Sequence, residues 1–191
     1  MESSEILVLH EDVRLYPYLD TFPKIEPSVF LCPGVKIIGD VTIGKKASVW
    51  YNTVIRGDVH YIKIGDYTNV QDCSMLHVTN GEFPLNIGSN VTIGHSVTLH
   101  GCTLQDYCFI GIGAIVLDGA VVEKHAMVAA GALVRPGFIV PSGKLVGGVP
   151  AKVIRDLTPA EIENITASAE RYAKYAQLSH ESLLSRAQPG K

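Results

Sequence analysis

From Ile25 a branched or bulky aliphatic residue returns every six positions: Ile25, Leu31, Ile37, Ile43, Val49 and Ile55. A three-residue insertion moves the phase to Ile64, Val70 and Leu76, and a longer one through NGEFPLN moves it to Ile87, Ile93 and Leu99. One residue is then dropped, and the period runs on through Leu104, Ile110, Val116, Val122, Val128, Val134, Val140 and Val146. Four positions after the aliphatic sits a small or β-branched residue, as at Val41, Ala47, Thr53, Ser74, Val97, Ala114, Ala120 and Ala126. A period of six matches neither the 3.6-residue period of an α-helix nor the alternation of a hairpin strand. It predicts a parallel β-helix in which each hexad forms one side of a triangular coil, with the aliphatic inward and the small residue near the corner. Three hexads close a coil, coils stack at about 4.8 Å, and about twenty hexads give about seven coils. Gly44, Gly65, Gly88, Gly94 and Gly111 directly follow the aliphatic and read as support for the turns.

The ends break the period. Residues 1–24 hold a short apolar run, Ile6 to Leu9, then a Pro/Tyr-rich stretch, and read as a lead-in strand and cap. Residues 25–154 form the β-helix, which VGGVPAKVI (Val146–Ile154) closes. Residues 155–191 predict a helix and tail. Thr158 is the N-cap, Pro159 takes the first helical position and Glu161 completes a capping box. Ile162, Ile165, Ala169, Tyr172 and Ala176 form an apolar stripe, so the helix should pack along the β-helix or a neighbouring subunit. Residues after about Ser185 read as disordered.

Composition narrows the partners. The 191 residues suffice for one domain with a sizeable core. The net charge of −3 disfavours nucleic acid and acidic membrane as partners. The acidic N-terminus MESSEILVLHED lacks the basic start of a secretory leader. The longest apolar run, Ala126–Val134, is far too short to span a bilayer. Cys32, Cys73, Cys102 and Cys108 form no CxxC pair, which fits free thiols in a reducing compartment. These features point to a soluble cytoplasmic protein.

The seven histidines are where the chemistry concentrates. His10, His60, His125 and His180 read as ordinary surface or core residues. His77, His95 and His100 do not, because the hexad register makes them converge. His77 and His100 are second residues of hexads three apart, one coil if the insertion loops out, so their rings should stack on one face with Arg56 one coil below. His95 is a third residue on the preceding face and shares a column with Asp72, with Gln71 beside them. All three imidazoles meet at one ion only if one face docks on the other face of a neighbour, head to tail, in a closed ring. A triangular rod suggests a trimer, with Arg56 near the neighbour's Asp72. Three imidazoles and an open fourth position describe a catalytic zinc site; iron or cobalt would accept the same set.

IRGD (Ile55–Asp58), NVQD (Asn69–Asp72), LH (Leu76–His77), IGHSVTLHGC (Ile93–Cys102) and IGIGAIVLDGA (Ile110–Ala120) resemble the gamma-class carbonic anhydrase family, and the resemblance runs from about residue 15 to 180. It implies a mainly β fold, a left-handed parallel β-helix with a C-terminal α-helix, assembled as a homotrimer; the left hand runs against the usual crossover rule and comes from the resemblance. It implies that zinc hydroxide converts CO2 to bicarbonate, with zinc held by His77 and His100 of one subunit and His95 of the next. Arg56 and Asp72 would form the intersubunit salt bridge, with Asp58 nearby. Gln71 would hydrogen-bond the bound water, Asn69 would orient Gln71, and Tyr172 would reach the site from the helix. Two departures from the most active members imply weak hydration: Val59 follows Asp58 where they carry an acidic residue, and the NGEFPLN loop offers only Glu82 as a proton carrier. The β-helix and GGVPAK (Gly147–Lys152) are shared with hexapeptide acyltransferases. An acyltransferase or a metal-dependent thioesterase acting on an acyl-CoA is therefore one alternative, and a structural or bicarbonate-binding subunit another.

Overall fold

In the computed structural model, which describes His10 and residues 12–186, the hexads stack into three parallel ladders. One aligns Leu31, Val49, Val70, Ile93, Ile110, Val128 and Val146. The second aligns Leu15, Ile37, Ile55, Leu76, Leu99, Val116 and Val134. The third aligns Ile25, Ile43, Ile64, Ile87, Leu104, Val122 and Val140. Apart from Leu15 and Ile25, every one of these side chains is buried, each contributing roughly 1.5–3 kcal/mol relative to exposure. The architecture is a parallel β solenoid of about seven turns. Two ladders share one sheet because Lys36–Ile43 and Val54–Ile64 run round a corner without a break, their pairing shifting between Gly39 and Val41. The lead-in run Ile6–Leu9 lies outside the described residues.

The glycines after the aliphatics have a different cause from turn support. Their backbone is not left-handed. A Cβ on Gly65 would lie 2.6 Å from the backbone of Gly88 on the next coil, and one on Gly111 would lie 2.5 Å from the nitrogen of Ala130. Coil-to-coil contact leaves no room for a side chain there. The left-handed residue sits two positions further on, at Lys46, Tyr67, Asn90, Ser96 and Gly113, so four of these five corners carry an ordinary side chain.

Lys144–Gly147 ends the parallel stack and pairs antiparallel with Lys152–Asp156. The helix Pro159–Arg186 follows. The amide of Thr158 donates to Glu161 Oε2 at 2.8 Å, and the amide of Glu161 donates to Thr158 Oγ1 at 3.3 Å, which is the capping box. Ile165, Ala169 and Ala176 are buried against Phe30–Leu31, Ser48–Val49, Asn69–Val70 and Thr92–Ile93 of the same chain. The helix runs to Arg186, and the tail beyond lies outside the described residues. Among the described residues no helix is long and apolar enough to cross a membrane.

The four thiols are free. Burial pushes Cys32 and Cys102 up to about 12 and raises Cys108 further, so all three stay protonated and unreactive at pH 8. Cys73 is exposed. Ellman's reagent at pH 8 should therefore titrate at most one thiol per native chain and all four after denaturation. Rapid reaction of two or more native thiols would contradict this packing.

Candidate metal centre

The second ladder places His77 and His100 side by side as direct register partners. His77 Nδ1 and His100 Nε2 face each other at 3.1 Å, with ring centroids 5.1 Å apart. Each ring is anchored by its other nitrogen. His77 Nε2 donates to Asp58 Oδ1 at 3.1 Å, and His100 Nδ1 donates to Asp118 Oδ1 at 2.7 Å. With those protons committed, two lone pairs point at one another. A cation is what such an arrangement accommodates, and two ligands of a tetrahedral zinc ion lie about 3.3 Å apart at bond lengths of 2.0–2.1 Å. Arg56 Nη1 donates to Asp58 Oδ2 beneath the pair. Burial opposes the ionisation of Asp58, but the hydrogen bonds from Arg56 and His77 outweigh it and hold its carboxyl below the ordinary range. Burial, Arg56 and His100 push His77 down, keeping it in the neutral, ligand-competent form.

The neighbouring face carries the other set. His95 Nδ1 donates to Asp72 Oδ2 at 2.6 Å, the column expected from the register. Gln71 is buried, and its amide donates to Asn69 Oδ1 at 3.1 Å. Asn69 in turn donates to Thr92 Oγ1 at 3.0 Å, and Thr92 Oγ1 donates to Ser168 of the helix at 3.0 Å. Tyr172 lies beside Gln71, and burial, Asp72 and Tyr175 raise its phenol, so it keeps its proton. Tyr172 also meets Trp50 edge-on at 5.6 Å. Trp50, Asp72, His95, Tyr172 and Tyr175 line a cleft of about 400 Å³.

One chain thus brings together Arg56, Asp58, His77 and His100 on one face, and Asn69, Gln71, Asp72, His95 and Tyr172 on another. Among the described residues no three His, Cys, Asp or Glu side chains of the single chain gather into a metal cage. Glu82 is exposed on its loop. His10 and His180 bond each other at 3.0 Å, His60 accepts from the amide of Tyr61, and His125 stacks on Tyr107. Asp118, within IGIGAIVLDGA, and Thr79 are residues of this face to which the sequence assigns no role; Thr79 Oγ1 donates to Asp118 Oδ1 at 3.1 Å. Asp118 is the third residue of the hexad from Val116, directly above Gly101. That glycine beside an acidic residue one coil away was the available signal.

Several known proteins are similar to this chain over most of its length. The family description "Bacterial transferase hexapeptide (six repeats)" matches residues 22–57. The "Probable carbonic anhydrase" of Methanocaldococcus jannaschii is 53% identical over 80% of this chain and 96% of its own length. "Gamma carbonic anhydrase 2, mitochondrial" of Arabidopsis thaliana is 49% identical over 83% of this chain, which spans only 59% of that protein. A solved Bacillus cereus structure, described provisionally as an acetyltransferase, is 42% identical with a TM-score of 0.86, covering 88% of this chain and 97% of its own. Close identity across nearly the full length of an archaeal relative, on a solenoid that stacks the carboxylate-anchored histidines as its register requires, makes this chain a member of the gamma carbonic anhydrase family.

Proposed function

We propose that the protein hydrates CO2 to bicarbonate at a metal site completed between subunits of a homotrimer of left-handed solenoids. His77 and His100 of one chain and His95 of the next would hold the ion, zinc by the nature of the donors, with Fe2+ and Co2+ fitting the same set. The carrying observation is the facing pair of bare ring nitrogens on His77 and His100, each ring fixed by a carboxylate. Bound zinc supplies Lewis acidity that brings the pKa of water to about 7. The chain's own residues do the rest. Asn69 fixes the amide of Gln71, which orients the attacking water. Tyr172 caps the same amide from the helix. Arg56, set by Asp58, would bridge to the partner subunit's Asp72. Exposed Glu82 is the one carboxylate of the loop that could pass the released proton to solvent. The three buried free thiols support a reducing compartment, and we read the setting as cytoplasmic.

Stopped-flow CO2 hydration on zinc- and iron-loaded protein, beside metal analysis, tests this reading. Wild type should bind about one ion per chain and hydrate CO2. Gln71→Ala should keep its metal and lose roughly 100-fold in rate, the scale of one positioned hydrogen-bonding group. Metal-independent acetyl-CoA turnover without hydration would favour the acyltransferase reading that the Bacillus cereus relative raises. Metal binding with neither activity would leave a structural or bicarbonate-binding subunit.

A further inference from the structure

The long insertion after His77 folds back onto the coil beside His100. Thr79 and Phe83 form an antiparallel bridge, the Thr79 amide donating to the carbonyl of Phe83 at 3.0 Å. Phe83 then lies over Gly101 and Gly119: a Cβ on Gly101 would come within 2.7 Å of Phe83 Cβ, and one on Gly119 within 3.0 Å of its ring. The Thr79 hydroxyl reaches Asp118 Oδ1, the same oxygen that accepts the proton of His100 Nδ1. Gly101 is what lets Asp118 approach. A Cβ there would stand 2.2 Å from that oxygen, and the left-handed backbone of Gly101, at φ 52°, turns the chain away just after His100. One carboxylate oxygen therefore joins the ring of His100 to the strand that leaves His77.

We propose that Asp118 is a positioning residue for His100: it holds the ring in the tautomer that leaves Nε2 bare, and Thr79 and Phe83 hold Asp118 in place. The proposal rests on the reading of His100 as a metal ligand. A ligating imidazole needs its other nitrogen protonated and fixed, and losing such a partner costs roughly 10–100-fold in metal affinity. Asp58 does the same for His77, so each histidine of the pair has its own carboxylate from a different coil.

The test separates charge and tautomer from shape. Asp118→Asn keeps the size of the side chain and can still accept from Thr79, but its amide can turn an N–H toward His100 and force the ring proton to Nε2. In metal-free protein labelled with 15N in histidine, long-range 1H–15N correlations should show His100 protonated at Nδ1 in wild type and at Nε2 in Asp118→Asn. The His100→Gln variant assigns the signal. In chelator competition, Asp118→Asn and Asp118→Ala should both bind zinc roughly 10–100-fold more weakly than wild type, and Thr79→Val several-fold more weakly, with the unfolding midpoints of the metal-free proteins little changed. A merely structural role predicts that Asp118→Asn behaves as wild type. Wild-type His100 protonated at Nε2, or Asp118→Asn binding zinc within twofold of wild type, overturns the proposal while leaving the functional reading standing. Wild type that binds no zinc overturns both.

Discussion

His95→Ala protein is expected to lose its metal although His77 and His100 remain untouched, and mixing it with His100→Ala chains is expected to bring part of the metal back. The first half follows from ligand count. The pair His77 and His100 offers two nitrogens on one face, while His95 stands on the preceding face, bonded to Asp72. If the third nitrogen comes from a neighbouring chain, removing it leaves a two-ligand site. The loss should exceed about 100-fold in affinity, since outer partners alone are worth 10–100-fold. The second half follows from head-to-tail closure. In a ring, each interface takes the pair from one chain and His95 from the next. An interface between a His95→Ala chain and a following His100→Ala chain is intact, and random mixing creates it at about one interface in four. Co-expression of the two variants, mixed trimers confirmed by native mass spectrometry, and metal per chain by elemental analysis would read this directly. Each variant alone should hold almost no metal. Mixed trimers with no more metal than the parents would place all ligands within one chain and sink the intersubunit site.

The contrast between what the sequence disclosed and what it hid is physical. The inward aliphatics were legible because a solenoid repeats one environment, so spacing alone sets the register; Leu76 pairs with Leu99, and His77 with His100, as counted. The column of His95 and Asp72 was legible for the same reason. The bond between Asp118 and His100 was not, because its one trace in the sequence is the glycine at Gly101, and its other support comes from an insertion whose path no period describes. Nor was the reason for the glycines after the aliphatics. A glycine that a turn needs and a glycine that a neighbouring backbone needs look identical in a sequence. Only the corner residues tell them apart: Lys46, Tyr67 and Cys73 adopt positive φ without being glycine.

That distinction carries the largest stability effect expected here, within the single turn Gly111-Ile112-Gly113. Gly111 is buried between coils, and a Cβ on it would lie 2.5 Å from the nitrogen of Ala130 and 2.7 Å from the carbonyl carbon of Ala129. These are backbone atoms directly after Met127–Val128, the strand that pairs with Phe109–Ile110, so no side chain can swing aside. The coils must part, which breaks register and hydrogen bonds together. Overpacking of this kind costs about 3 kcal/mol or more. Gly113 has φ 67° and open space where its Cβ would go. An alanine there meets only the left-handed penalty, about 1 kcal/mol. At roughly 2–4 °C per kcal/mol for a chain of this size, Gly111→Ala should lower the unfolding midpoint by about 10 °C and Gly113→Ala by about 3 °C. Gly113→Asn should cost less still, since Asn52 and Asn90 already occupy equivalent corners and asparagine tolerates that conformation. Thermal unfolding of metal-free protein at one fixed concentration keeps ligand and assembly effects constant between variants. Equal shifts for the two alanines would mean that conformation governs both positions, and that the tight contact between coils at Gly111 is not what selects glycine there.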